Sequence, residues 1–241
     1  MNTVAIIQAR IGSSRFPKKI LSSINDKPLL CHIIDFLKHA KLINKIVVAT
    51  SCLPEDDVIE EIAKQMKIDY YRGSSEDVLK RYYDCAKYYK ADVVVRITAD
   101  NPLIDPTIVD QVIESCIKTK CDFASTMISP TFPLGYLVEA MPFSVLETLH
   151  RTQKDKQSRE HIVFHIRKNP ELYNVVRISA PQNMVRPYWR LTVDYKEDLE
   201  LINKIFSALY NKDSYISYKE VFTFLNNHPE LLKINQKYRK I

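Results

Sequence analysis

The chain has 241 residues, 46% hydrophobic and 27% charged, a composition that supports a sizeable core and argues against disorder. Its formal charge of +6 comes from Lys and Arg spread along the chain, apart from the opening Gln8–Lys19 stretch and the tail KINQKYRKI; the clustered basic element expected of a nucleic-acid binder is missing. No apolar run is long enough to span a membrane, the opening run lacks a basic leader, and the five cysteines include no C-x-x-C pair, which together predict reduced, mostly buried thiols in a cytoplasmic protein.

In chain order, VAIIQA reads as a short buried strand, followed by the cation-rich loop QARIGSSRFPKK. KPLLCHIIDFLKHAKL sets Leu29, Leu30, Ile33, Ile34 and Leu37 at helical spacing, and KIVVAT is a second strand. LPEDDVIEEIAKQMK predicts a helix, with Pro54 and acidic residues at its start complementing the helix dipole. DYYR is a short strand, and SSEDVLKRYYDCAKYY a helix capped by Ser74 or Ser75, with its tyrosines packing inward. DVVVRITAD is the strongest strand, PTIVDQVIESCIKT a helix opened by Pro106, and CDFASTM another strand. This β–α alternation predicts an α/β fold, a mostly parallel sheet with helices on both faces.

The alternation breaks near Ser129. SPTFPLGYLVEAMP predicts a loop leading to an edge strand, and FSVLETLHRTQ and SREHIVFHIRKN predict helices. YNVVRIS and YWRLTVD read as strands, and helices dominate from Lys196 onward. With no repeat or linker, residues 1–241 read as a single domain, with about 130–190 a lobe inserted before the last strand. The three glycines, Gly12, Gly73 and Gly135, are few enough that each suggests a special backbone position.

Ligands of open α/β sheets bind beyond the carboxyl ends of the strands. There the sequence offers Arg10, Gly12, Ser13, Ser14, Arg15 and Lys19 after the first strand, Asp100 after DVVVRIT and Asp194 after YWRLTV. Cations facing carboxylates suit phosphoryl or nucleotidyl transfer. Arg and Lys take up phosphate charge, Gly12 lets backbone N–H groups approach the anion, and one or two carboxylates suffice for Mg²⁺. Asp100 equally suits a turn or helix cap, and Asp194 a cap partnered by Glu197; the pairing with the basic loop favours a site. G-x-G-x-x-G and G-x-x-x-x-G-K-[ST] are both absent, against a dinucleotide fold and a P-loop. His161 and His165, four apart on a predicted helix beside Glu160, have neither the order nor the third ligand of a zinc helix. Glu139 reads as an exposed strand residue, and Ser13 and Ser14 have no matching His and Asp to act as nucleophiles.

IIQARIGSSRFPKKIL resembles the opening of the cytidylyltransferases that make CMP-activated sugars, such as the 3-deoxy-manno-octulosonate and acylneuraminate enzymes, and resembles most the spore-coat polysaccharide branch. The similarity continues in order through PEDDVI, YRGSSEDVLKRYYDCAKYYKADVVVRITADNPLIDP, SREH and RLTVDYKEDLELI. It implies a Rossmann-like nucleotide-diphospho-sugar transferase fold, CTP as substrate, Mg²⁺ as cofactor and a homodimer, with residues of about 130–190 at the interface and sugar site. Arg10, Arg15, Lys19 and Asp100 become the catalytic candidates. Gln8, Ala9, Arg10, Gly12, Ser13, Arg15, Lys19, Ser74, Arg81 and Thr98 become nucleotide-binding candidates, with the stretch from Arg72 to Arg81 helping to form the pocket. Asp100 and Asp194 become the metal ligands, and Glu139, Arg159, His161 and Arg190 the acceptor-side candidates.

Two departures stand out. Lys18 occupies a position where the family often has glycine, and Leu137 replaces the acidic residue of a common G-L-D-V-E. The expected partners are CTP and a small sugar-type acceptor, with no nucleic acid and no membrane. The expected reaction moves CMP to a sugar, sugar acid or sugar or polyol phosphate and releases pyrophosphate for surface polysaccharide or glycoconjugate synthesis. Two alternatives remain: a metal-dependent glycosyltransferase, disfavoured because the strand ends in ADNP rather than D-x-D, and a non-catalytic nucleotide- or nucleic-acid-binding protein.

Overall fold

The structure, a computed structural model, describes residues 1–13, 15–128 and 130–239; Ser14, considered above with Ser13, lies outside them. The chain alternates strand and helix through β1 (Thr3–Gln8), a small hairpin of β2 (Ser23–Ile24) and β3 (Lys27–Pro28), α1 (Leu29–Leu37), β4 (Lys45–Ser51), α2 (Asp57–Gln65), β5 (Asp69–Gly73), α3 (Val78–Tyr88), β6 (Val93–Thr98), α4 (Pro106–Thr119) and β7 (Phe123–Ser125). It continues through β8 (Glu139–Pro142), α5 (Phe143–Thr152), α6 (Lys156–Glu160), α7 (Phe164–Lys168), β9 (Val175–Arg177), α8 (Lys196–Leu209) and α9 (Tyr218–Asn227). Seven strands form one sheet in the order β5-β4-β1-β6-β8-β7-β9. Only β8 runs against its neighbours, β6 and β7; the other pairings are parallel.

The period-two alternation of the strands sends residues to two separate cores. Ala5, Ile7, Val93, Val95 and Ile97 face one core, completed by α1, α2, α4, α8 and α9. Val4, Ile6, Val47, Ala49, Val94 and Met141 face the other, covered by α3, α5 and the α6–α7 segment. Tyr82 is buried on that second face, its hydroxyl donating to the carbonyls of Ile6 and Ile97 at 3.2 and 3.4 Å, as the packing reading expected, whereas Tyr88 on the same helix is exposed. Four of the five cysteines are buried and all five are free thiols; Cys52 is exposed.

Several local expectations are corrected. The strand expected at a sheet edge, β8, lies in the interior between β6 and β7. The chain leaves the top of β7 and comes back down inside the sheet as the antiparallel β8. YWRLTVD forms no sheet strand; its Arg190 makes an isolated bridge to Leu134, and Leu191 N–H donates to the Leu134 carbonyl at 2.6 Å. Gly135 has a left-handed φ of 129°, and a Cβ there would lie 2.6 Å from the Leu191 carbonyl carbon, so this close approach requires glycine. Gly12 and Gly73 have no such φ. SREHIVFHIRKN is split between two short helices, with His161 in the break and His165 inside the second. The α3 cap is Asp77, whose carboxylate accepts from Lys80 N–H, rather than Ser74 or Ser75. Asp105, not Asp100, caps α4, accepting from Thr107 N–H at 2.7 Å. Ahead of α8, Asp198 rather than Glu197 reaches back, accepting from Tyr195 N–H at 3.0 Å.

Candidate active site

The cation-rich loop crosses the carboxyl ends of β1 and β6. Two apolar anchors, Ile11 and Ile20, are buried, while Asp56 at the start of the α2 segment accepts from Ile11 N–H at 2.7 Å. Lys18 adopts a left-handed conformation, φ 58° and ψ 20°, and its N–H donates to the Ile11 carbonyl at 3.3 Å. A residue bearing a Cβ therefore forms this left-handed turn, at a cost in backbone strain. The result is a cleft of about 260 Å³ lined by Gln8, Arg10, Gly12, Ser13, Arg15, Lys19, Arg96, Thr98 and Asp100, among others.

Asp194 reaches this cleft because the segment before it is fastened to the end of β6: Val193 N–H and Thr192 Oγ1 donate to the Asp100 carbonyl at 2.8 and 3.1 Å. Lys19 Nζ then lies 3.1 Å from Asp100 Oδ2 and 2.8 Å from Asp194 Oδ1. Arg15 also reaches Asp194 Oδ1 at 2.8 Å. The Lys19 side chain is only 13% exposed against 55% for Arg15, so the lysine bridge is the less screened of the two. Burial pushes the Asp194 carboxyl up, but hydrogen bonds and charge from Lys19, with Arg190 and Arg15 behind them, outweigh it and hold the group below its ordinary value. The carboxyl of Asp100 also accepts from Thr98 Oγ1 at 2.6 Å.

One ammonium nitrogen bonded to both carboxylates marks a single seat that a cation can share. Two hard oxygen donors at that seat suit Mg²⁺, which takes one or two protein carboxylates and fills its shell with water and phosphate oxygens. Among the described residues no group of three or more potential metal ligands occurs.

The structure corrects three of the ligand-contact expectations. Arg81 is wholly buried and donates to the Ser74 carbonyl at 2.6 Å, supporting the loop after β5 from beneath. Burial pushes its guanidinium below the usual value. Arg190 is buried and spent on carboxylates: its Nε and NH2 reach Asp198 at 2.9 Å each, and NH2 reaches Asp194 Oδ2 at 2.9 Å. Glu139 is fully buried and pairs with Arg96 at 2.6 Å and with Arg167, so it contacts its neighbours rather than an acceptor.

The remaining candidates divide. Ala9 is buried and its N–H donates to the Ala49 carbonyl at 3.2 Å. Arg72 is turned to Glu60 and Asp57 on α2, away from the cleft. Ser74 borders a separate depression with Cys52 and Lys80. Arg159 lines a second cleft of about 620 Å³, which also holds Lys156 and Glu160 and which Arg10 joins to the first; it is fixed there by Asp77 and by the His150 carbonyl at 3.0 Å. His161 is exposed at the end of α6.

Sequence reasoning missed Arg96, Asp56, Asp198 and Asn235. Arg96 carried a readable signal: it is the lone charge inside an apolar strand and two residues before Thr98, hence on the same face. Cross-strand register puts Arg96 opposite Glu139, and Glu139 opposite Ser125. Burial works against the Arg96 charge, but Glu139 more than compensates and holds the guanidinium above its ordinary value.

Residues 4–235 match the cytidylyltransferase family. The chain belongs to that family. This cytidylyltransferase is 32% identical to the spore coat polysaccharide biosynthesis protein SpsF of Bacillus subtilis, over 93% of the chain and 94% of the relative. It is 35% identical to the uncharacterized protein MJ1063 of Methanocaldococcus jannaschii, over 100% and 97% of the two chains. A solved cytidylyltransferase from Leptospira borgpetersenii superposes with a TM-score of 0.91 at 32% identity, covering 100% of this chain and 99% of the other. The protein is thus a CTP-dependent nucleotidyltransferase that moves CMP to a sugar-like acceptor. No helix among its described residues is long and apolar enough to cross a membrane.

Proposed function

We propose that the cleft transfers CMP from CTP to an oxygen of a sugar, sugar acid or sugar or polyol phosphate, in the synthesis of surface polysaccharides or glycoconjugates. The observation that carries this reading is the meeting of Asp100 and Asp194 on one Lys19 nitrogen, at 3.1 and 2.8 Å, beneath a loop carrying Arg10 and Arg15. Asp100 and Asp194 would hold Mg²⁺, which when bound neutralises phosphate charge and orients the reacting oxygens. With that seat taken, Lys19 Nζ turns to the triphosphate. Arg10, Arg15 and Lys19 neutralise the phosphates and the charge that develops on the departing pyrophosphate. The acceptor oxygen attacks the α-phosphorus in line with that leaving group. Gln8, Ser13 and Thr98, which line the same cleft, supply neutral hydrogen-bonding groups to orient the nucleotide.

The test is pyrophosphate release from CTP, UTP, ATP and GTP with Mg²⁺ and a panel of sugar acids and sugar phosphates. Selective turnover of CTP with one acceptor class is expected, and Asp100→Ala should abolish it. Turnover undiminished in Asp100→Ala would sink the metal assignment, and no release with any nucleotide would sink the reaction. The same reading includes a working homodimer, which sedimentation at micromolar concentration would detect.

A further inference from the structure

Asp194 is held in place by residues remote from the cleft. Its N–H donates to Asp198 Oδ2 at 2.9 Å, as does Tyr195 N–H at 3.0 Å. Asp198 in turn grips Arg190 through two bonds of 2.9 Å, and Arg190 NH2 holds Asp194 Oδ2 at 2.9 Å. That commits one Asp194 oxygen to the interior and leaves Oδ1 facing Lys19 and Arg15. The pair is closed from outside by the 235–238 segment. Asn235, wholly buried, donates through Nδ2 to Asp198 Oδ1 at 2.8 Å and to the Arg190 carbonyl at 2.9 Å. Three residues on, the Tyr238 ring stacks on Tyr195 at 3.7 Å and an interplanar angle of 4°. The Tyr195 ring also carries the guanidinium of Arg15 at 5.6 Å and that of Arg190 at 5.5 Å. Tyr238 is itself tethered by its hydroxyl to Glu197 at 3.1 Å.

We propose that Asn235 and Tyr238 are positioning residues of the nucleotide–metal site. Asn235 fixes the Arg190–Asp198 pair and through it the rotation of the Asp194 carboxylate. Tyr238 fixes the Tyr195 ring, and with it the Arg15 guanidinium, whose side chain is otherwise half exposed. The inference rests on reading Asp194 as a metal-side carboxylate. Such supporting contacts set ligand orientation, and their loss typically weakens metal binding 10- to 100-fold.

The experiment measures Mn²⁺ binding by loss of the free-ion electron paramagnetic resonance signal with CTP present, and CTP binding by calorimetry with Mg²⁺ present. Tyr238→Ala should weaken both about tenfold with little change in thermal midpoint, because the ring is only half-buried. Tyr238→Phe keeps the stack and loses only the hydroxyl, and should bind within about twofold of the parent. Asn235→Ala should weaken Mn²⁺ at least as much as Tyr238→Ala does; if it fails to fold, the tyrosine pair decides. Parent-like binding of Mn²⁺ and CTP by Tyr238→Ala, or equal losses in Tyr238→Ala and Tyr238→Phe, would overturn the inference while leaving the functional reading intact. Failure of the unaltered protein to bind CTP or Mn²⁺ would overturn the functional reading, and this inference with it.

Discussion

Two charge clusters meet the same cleft and are built on opposite plans. At the end formed by β6 and the loop before α8, Arg15, Lys19 and Arg190 face Asp100, Asp194 and Asp198, three cations against three carboxylates. On the sheet face between β6 and β8, Arg96 and Arg167 share the single carboxylate of Glu139, two cations against one. The first cluster is balanced and reaches solvent through Arg15 and Asp100, so its ion pairs can be exchanged for a metal and a polyphosphate. The second is locked at its centre: Glu139 is inaccessible and Arg96 largely so, and that pair cannot open without stranding a buried charge, whereas Arg167 closes it from the solvent side. A nucleotide with its metal suits a site whose ion pairs can open, whereas the cleft floor is held rigid by one whose pairs cannot.

The largest expected effect breaks the locked cluster. Glu139→Gln leaves two arginines facing each other with no carboxylate, and should cost about 3–5 kcal/mol of stability, the usual penalty for stranding a buried charge. Urea denaturation checks it, and a loss below about 1 kcal/mol would show that Glu139 is not the keystone its burial implies. Next comes Lys19→Ala in the exchangeable cluster. Removing a cation that meets developing charge should lower CTP-dependent pyrophosphate release about 10²–10³-fold. Its stability should change far less than that of Glu139→Gln, since Asp194 keeps Arg190 and Arg15. Steady-state rates and urea curves on both variants should therefore separate the clusters: one fails in function, the other in folding.

The nine elements of the alternation from β1 to β7, leaving aside the β2–β3 hairpin, are legible because apolar periodicity is local. Val4, Ile6, Val94 and their neighbours announce buried strands whatever follows them. Asp100 and Asp194 could be picked from their positions at expected strand ends, although Asp194 follows no strand; its segment is brought alongside Asp100 by long-range backbone bonds. The interior place of β8 was hidden for a related reason. A four-residue strand after a proline-rich loop carries an edge-like pattern, and only the return from β7 decides where it inserts. Glu139 and Arg190 read as acceptor contacts in the sequence because a lone charge there looks available for a ligand. Their partners, Arg96 and Arg167 for one and Asp198 for the other, lie across strands or across a turn, where spacing alone reveals no ion pair.

The smallest expected effect concerns Lys18, which sits between the two arginines and the lysine of the loop without belonging to either cluster. Its left-handed backbone, φ 58°, costs a residue bearing a Cβ about 1–2 kcal/mol. Glycine would relieve that strain but lose about 0.5–1 kcal/mol through greater freedom of the unfolded chain. Lys18→Gly should therefore be neutral or stabilising by up to about 1.5 kcal/mol, read as a small rise in thermal midpoint. Its effect on CTP binding sharpens the comparison. If the exchangeable cluster takes its charge from Arg15, Lys19 and Arg10 alone, the glycine variant should bind CTP within about threefold of the parent, and the salt dependence of binding should be unchanged. A larger loss, steepening at low salt, would place the Lys18 ammonium among the triphosphate cations and join it to the exchangeable cluster.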